Sequence, residues 1–354
     1  PKKPWLFIII PLMISFTMIY KIKDISTDSS LMDDLRPKNK LYQDLKFTEK
    51  YFGGVLPFEV LIHIDPDKNK PSIETDILPY LDQVESLLQS EMQESRFFSL
   101  STLLRSIKRI RGDNGDEVYN YEMIERIAQE QSKQGNRLIS DDKTVFRVTG
   151  LIENRTSSEM KKVYNKLDSL SRSFPSYLSI ECTGTTVVAL RTNDYLVQSL
   201  VNSLGLALFF ISIVMAVMFR ARSILFASLV TNLIPIFTIL GAIAWFGISI
   251  RPPTAMTFAV ALGIAVDDSL HFLLRYRKEL RQGMSRVDAI KSTIINTGSA
   301  LMITTTILVA GFSVLLFSAF LPTYQFGLLS ASMIGVALLC DITLLPALCL
   351  VLPN

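Results

Sequence analysis

The 354-residue sequence has only two histidines, His63 and His271, and three cysteines. Cys182 stands in polar sequence while Cys340 and Cys349 share an apolar run, so no spacing offers a disulfide framework or a metal site. All three read as small apolar fillers. The motifs G-x-S-x-G and H-E-x-x-H and the glycine-rich phosphate loop are missing, and the two histidines fall in widely separated segments, which argues against an enzyme. Excess charge of one sign is also slight. A formal net charge of +3, with basic residues scattered over short segments, provides no patch for nucleic acid. The first apolar run, "KKPWLFIIIPLMISF", is not followed by an A-x-A cleavage pattern and is expected to be retained as a helix. The start at Pro1 rather than Met leads to the expectation that sequence precedes it.

What the chain does contain is apolar runs, gathering the 49% of its residues that are hydrophobic. They lie near 4–20, 196–219, 224–248, 254–274, 297–320 and 324–351. Each can span a hydrocarbon core of roughly 30 Å at about 1.5 Å per residue, so six transmembrane helices are expected. Lys2, Lys3, Arg220, Arg222 and the cluster Arg275, Arg277, Lys278, Arg281, Arg286 and Lys291 fall on one side of these spans. The opposite short loops hold only Arg251 in "ISIRPPT" and no charge in "SAFLPTYQ". The positive-inside rule then puts both termini in the cytoplasm.

The expected fold class is therefore a membrane α-helical bundle of six transmembrane helices with an extracytoplasmic α+β domain between helices 1 and 2. Residues 1–20 form the first helix, 21–195 the extracytoplasmic domain and 196–354 a five-helix bundle. Within 21–195, "PFEVLIHI", "KTVFRVTGLI" and "YLSIECTG" read as strands, and "IETDILPYLDQVESLLQ" and "SSEMKKVYNKLDSLS" as helices. A helical insertion with a turn at 112–115 is expected between them. On the cytoplasmic side, residues 275–291 alternate basic and apolar residues at helical spacing and read as an amphipathic helix pair lying on the leaflet, broken at Gly283 and restarted at Ser285.

The stretch "GIAVDDSLHFLLRYR" sets Asp267 and Asp268 side by side in the last third of an apolar run, with His271 following. A carboxylate at mid-membrane costs about 2.5–3.5 kcal/mol on insertion scales, so such residues need a partner or a task. The two aspartates point about 100° apart on a helix, and His271 is one turn from both, so the three can line one polar face. Desolvation and like charge favour the neutral form of a carboxyl, which makes this pair a candidate proton carrier, with His271 passing the proton toward the cytoplasm. Counting depth along the helices nominates Asn232, Thr304, Thr305 and Thr306 as neutral partners, while Asp341, also a candidate relay partner, falls nearer the inner surface, where a separate contact is the other reading. Two other readings stay open: a Na⁺ site built from the same oxygens, and aspartates that only join helices.

"GIAVDDSLHFLLRYRKEL" resembles the fourth-helix motif G-x-x-x-D-D of the resistance-nodulation-division (RND) superfamily, and its D-D-S-x-H-F continuation resembles the exporter branch related to the mycobacterial membrane large proteins (MmpL). "TTTILVAGFSVLLFSAF", "FGLLSASMIGVALLCDITLLPALCL" and "ECTGTTVVAL" are similar to that branch too. The resemblance covers essentially the whole chain as one repeat of that architecture: a helix, a porter-like βαβ domain and five helices. It implies a proton-driven exporter of lipids or other hydrophobic molecules in a bacterial inner membrane, without a cofactor beyond the coupling ion. Gly263 becomes the motif glycine and Asp267 and Asp268 the relay carboxylates, with His271 matching this branch alone. Patched and Dispatched proteins share the motif, which keeps sterol-like substrates open. Family members usually carry two repeats, so the chain is expected to be the C-terminal half of an exporter, partnered by an N-terminal half or by a second copy. Two alternatives are an auxiliary protein-translocation subunit of the same fold, whose motif carries one aspartate, and a lipid-sensing or scaffold module.

Overall fold

The computed structural model describes residues 4–26, 28, 30–65, 77–111, 137–219 and 221–352. The expected insertion turn at 112–115, Lys2, Lys3 and Arg220 lie outside the described residues. In chain order the elements are α1 (Pro4–Lys21), α2 (Lys40–Phe52), β1 (Leu56–Ile64), α3 (Leu78–Glu91), β2 (Arg96–Phe98), α4 (Leu100–Arg111), β3 (Val145–Ile152), α5 (Ser157–Ser171), β4 (Leu178–Thr183) and α6 (Thr185–Phe219). There follow α7 (Arg222–Trp245), α8 (Pro252–Arg281), α9 (Arg286–Thr293), α10 (Ser299–Ser313), α11 (Leu321–Leu339) and α12 (Leu345–Val351). A π-turn, Ile294–Gly298, joins α9 to α10, and a second, Cys340–Leu344, joins α11 to α12. Two compact units result, Ser30–Thr192 and the remainder of the chain.

In the first unit, β-branched and aromatic residues alternate along β1, so that Phe58, Val60 and Ile62 all point to one fully buried face. The sheet order is β2-β3-β1-β4, and every pairing is antiparallel. β3 and β4 consequently run parallel on either side of β1, joined by α5, which is a split βαβ arrangement. α3 contributes Leu81, Val84 and Leu88 to the core and α5 contributes Met160, Val163 and Leu167, in each case at three- and four-residue spacing. Thr156 caps α5 by accepting from Glu159 N, and the Glu159 carboxylate accepts from Thr156 N in return. The first turns of α6 belong to this core through Val187 and Leu190. β2 is a strand of three residues that alternation is too short to reveal.

The second unit is helical. Six helices are long and apolar enough to cross a membrane: Pro4–Asp24, Thr185–Phe219, Arg222–Trp245, Pro252–Arg281, Arg286–Phe317 and Leu321–Val351. α7, α8 and α11 are its most buried members, whereas α1, α6 and α10 are mostly exposed. Close approach is set by small residues. A Cβ at Gly241 of α7 would collide with Met18 of α1, and one at Gly327 of α11 with Leu315 and the Phe312 carbonyl.

One expectation needs correction. Residues 275–291 are not a separate pair of surface helices. α8 continues unbroken to Arg281, the chain turns at Gly283 (φ +88°), and Ser285 caps α9 by accepting from Asp288 N at 3.2 Å. α9 then runs through its π-turn into α10. Tyr276 and Glu279 of α8 and Ala289 and Ile290 of α9 are buried within the bundle. Amphipathic spacing is the same for a helix lying on a surface and for a projecting helix end, so the pattern alone does not separate them.

Candidate functional site

α8 carries the motif. Asp267 lies 15 residues into it, about 22 Å along the axis at about 1.5 Å per residue. The helix sends its polar residues in different directions. Asp267 and His271, one turn apart, are both exposed, with His271 Nε2 3.4 Å from Asp267 Oδ1. Asp268, rotated by about 100°, points into the bundle and is buried. The expectation that Asp267, Asp268 and His271 share one face is thus corrected to two faces.

The buried side is built from four helices. Thr305 Oγ1 of α10 donates to Asp268 Oδ2 at 3.3 Å. Ser269 of α8, fully buried, lies 2.6 Å from Asp341 Oδ1 on the π-turn after α11 and 3.2 Å from Asn232 Oδ1 on α7. Asn232 Nδ2 in turn donates to Ser228 Oγ at 3.3 Å. No Lys or Arg among the described residues pairs with Asp268 or Asp341. Hydroxyls and one amide are their neighbours.

Some of the nominated partners move. Thr304 and Thr306 are not part of the site: the Thr304 hydroxyl donates to the Ala300 and Leu301 carbonyls and that of Thr306 to the Met302 carbonyl of their own helix, because consecutive helical residues face different ways. Asp341, a candidate relay partner with a separate contact as the other reading, is joined to the motif through Ser269. The residue that sequence reasoning missed is Ser269 itself, although a small polar side chain directly after two buried-run aspartates was the available signal. Gly263 lies one turn before Asp267 on the exposed face, and a Cβ there would meet nothing within 4 Å. Its smallness is not explained by packing among the described residues.

Such an arrangement can hold a proton on a carboxyl shielded from water and register its gain or loss across several helices. Comparison with known proteins identifies the family. The model of the MMPL family matches residues 100–353, the greater part of the chain. The chain belongs to the MMPL family. That places it among membrane transporters of the RND type, a transporter family rather than an enzyme family. It is 22% identical over 361 residues to the membrane protein MJ1562 of Methanocaldococcus jannaschii, covering 98% of this chain and 90% of that one. A shorter match to ActII-3 of Streptomyces coelicolor, named as a membrane protein, is 35% identical over 103 residues, covering 29% of this chain and 14% of that one.

Proposed function

We propose that the chain is one repeat of a proton-driven exporter of lipids or other hydrophobic molecules in the bacterial inner membrane. The observation that carries this reading is Asp268, a carboxylate buried within a membrane-crossing helix and held by one hydroxyl, beside an exposed Asp267–His271 pair. Burial at such cost marks a working residue. In this reading Asp267 and Asp268 carry the proton and His271 exchanges it at the cytoplasmic side. Residues 21–195 lie outside the cytoplasm, where they admit substrate, and both termini lie inside.

The exposed stripe of Gly263, Asp267 and His271, at four-residue intervals on α8, supports a second repeat packed against it. Charged groups facing lipid at mid-span would be costly, and a facing repeat would cover them. The M. jannaschii relative, for which 361 aligned residues make up 90% of the chain, is itself about one repeat long. This favours a second copy of the chain over an N-terminal half as the partner.

The test is proton flux into liposomes holding the full-length protein, comparing wild type with Asp267→Asn and Asp268→Asn, with and without Na⁺. Flux that needs no Na⁺ and disappears in either variant is the expected result. Undiminished flux in both folded variants would sink the relay.

A further inference from the structure

The bonds around Ser269 do not balance as they stand. Its hydroxyl has one hydrogen, yet two acceptor oxygens lie within reach: Asp341 Oδ1 at 2.6 Å and Asn232 Oδ1 at 3.2 Å. Two arrangements that satisfy both contacts differ in the charge of Asp341. In the first, Asp341 is ionised and accepts from Ser269, and the Asn232 amide is turned so that its nitrogen donates to Ser269. In the second, Asp341 carries a hydrogen on Oδ1 and donates it to Ser269 Oγ, which donates onward to Asn232 Oδ1.

The surroundings of Asp341 select the second. The Asn232–Ser228 contact at 3.3 Å suits either orientation of the amide, because the Ser228 hydroxyl can accept from its nitrogen or donate to its oxygen. Asp341, 1% exposed, has its other oxygen, Oδ2, buried without a hydrogen-bond partner. An ionised carboxylate leaves a bare charged oxygen there, whereas a neutral acid leaves only a carbonyl. Among the described residues no Lys or Arg pairs with Asp341. Asp268 of α8 is itself an acid, α7 carries the buried neutral groups Asn232, Ser228 and Thr231, and α1 has no ionisable residue between Pro4 and Ile19. The π-turn that carries Asp341 interrupts the α-helical ladder at this point, as such turns often do where a side chain is put to use.

We propose that Asp341 is a second proton-binding carboxyl, neutral in the state described here, whose hydrogen fastens α7, α8 and the π-turn after α11 together through Ser269. When Asp341 holds its proton, the chain Asp341–Ser269–Asn232–Ser228 ties all three elements. When the proton leaves to water, the Ser269 hydroxyl turns to the carboxylate, and the Asn232 amide must turn over before its nitrogen can donate to Ser269 and rejoin α7 to α8. Protonation at Asp341 therefore sets the direction of the hydrogen bonds that join α7 to α8. The use of this clasp in transport rests on the relay proposed above; the occupancy of Asp341 by a proton does not.

The experiment is infrared difference spectroscopy of the full-length protein in lipid nanodiscs at neutral pH. The C=O stretching band of a protonated carboxyl should be present in wild type, lost in Asp341→Asn and retained in Asp268→Asn. Ser269→Ala should shift that band, since its hydrogen-bond acceptor is gone, and this variant carries the test should Asp341→Asn fail to fold. A wild-type spectrum without the band, a band removed by Asp268→Asn but not by Asp341→Asn, or a band unmoved in Ser269→Ala would overturn the proposal. If the band behaves as expected and wild type passes no protons, the relay fails while the protonated Asp341 stands.

Discussion

The two units treat buried charge in opposite ways. In the α/β unit, carboxylates that approach the interior meet a cation. Glu85 takes Arg105 at 2.5 Å, Glu49 takes Lys46 at 2.6 Å, Glu91 takes Lys166 at 2.5 Å and Glu59 faces Arg147 at 3.7 Å. In the helical unit, Asp268 and Asp341 are buried against hydroxyls. The same unit follows the ordinary rule elsewhere, because Glu279 near the end of α8 is buried against Arg275 at 2.6 Å. Among the described residues the exception is confined to the middle of the bundle. A fold that pairs its other buried carboxylates and leaves these two with neutral partners keeps them free to change protonation state, since a fixed cation would hold them ionised.

The strongest way to break the comparison is to move a lone carboxylate into the other unit. Val148 is fully buried in the sheet core, where no hydroxyl network waits. Val148→Asp should cost about 4 kcal/mol or more and abolish the cooperative unfolding of that unit, measured by thermal denaturation followed by circular dichroism. A folded variant of near wild-type Tm would show that the α/β core tolerates what the bundle tolerates, and the contrast would lose its meaning.

A smaller effect concerns Cys182, half-buried on β4, whose thiol burial pushes up to about 11. Its alkylation by iodoacetamide at pH 8 should run about a hundredfold slower than that of a free thiol, because the thiolate is the nucleophile. The linkage has a definite sign. The unfolded chain gives up this proton first, so its contribution makes stability fall as pH rises from the ordinary thiol range through about 11. Labelling at the rate of a free thiol would mean that β4 is not packed as described.

Within the bundle, Thr305→Val removes the hydroxyl that holds Asp268 while keeping its shape, and Thr304→Val serves as its control. Loss of one hydrogen bond to a carboxylate is worth about 1.5–3 kcal/mol, so proton flux should fall by about tenfold or more in the first and stay unchanged in the second. Equal losses would return both threonines to general helix packing.

Much of this was legible in the sequence. Apolar runs fixed the six spans, period-two alternation revealed β1, β3 and β4, and the G-x-x-x-D-D stretch pointed to the site. What stayed hidden depended on rotation and on tertiary context. Counting depth along helices puts Thr304 and Thr305 level with the aspartates, but only the azimuth of α10 decides which one faces them. Asp341 lay too far down by the same count, because the π-turn that repositions it leaves no mark in apolar composition. Ser269 carries no mark of its own in the sequence beyond its place after the aspartates, and its two partners come from elements that only the packed bundle brings together.

The smallest expected effect tests the α/β unit by its local rules. Thr156 begins α5 with a reciprocal cap, its hydroxyl accepting from Glu159 N at 3.4 Å and its own N–H donating to Glu159 Oε2 at 3.0 Å. Thr156→Ala removes one half of that cap and should lower the stability of the unit by about 1 kcal/mol, with no change in proton flux. Urea denaturation of the full-length protein in nanodiscs, read alongside flux, separates the two outcomes. A stability loss without a flux loss keeps the proposed division of labour, in which α5 supports the sheet and the bundle would carry the proton. A flux loss as large as that of Thr305→Val would mean that α5 is coupled to the carboxylates, and the two units would then have to be treated as one machine.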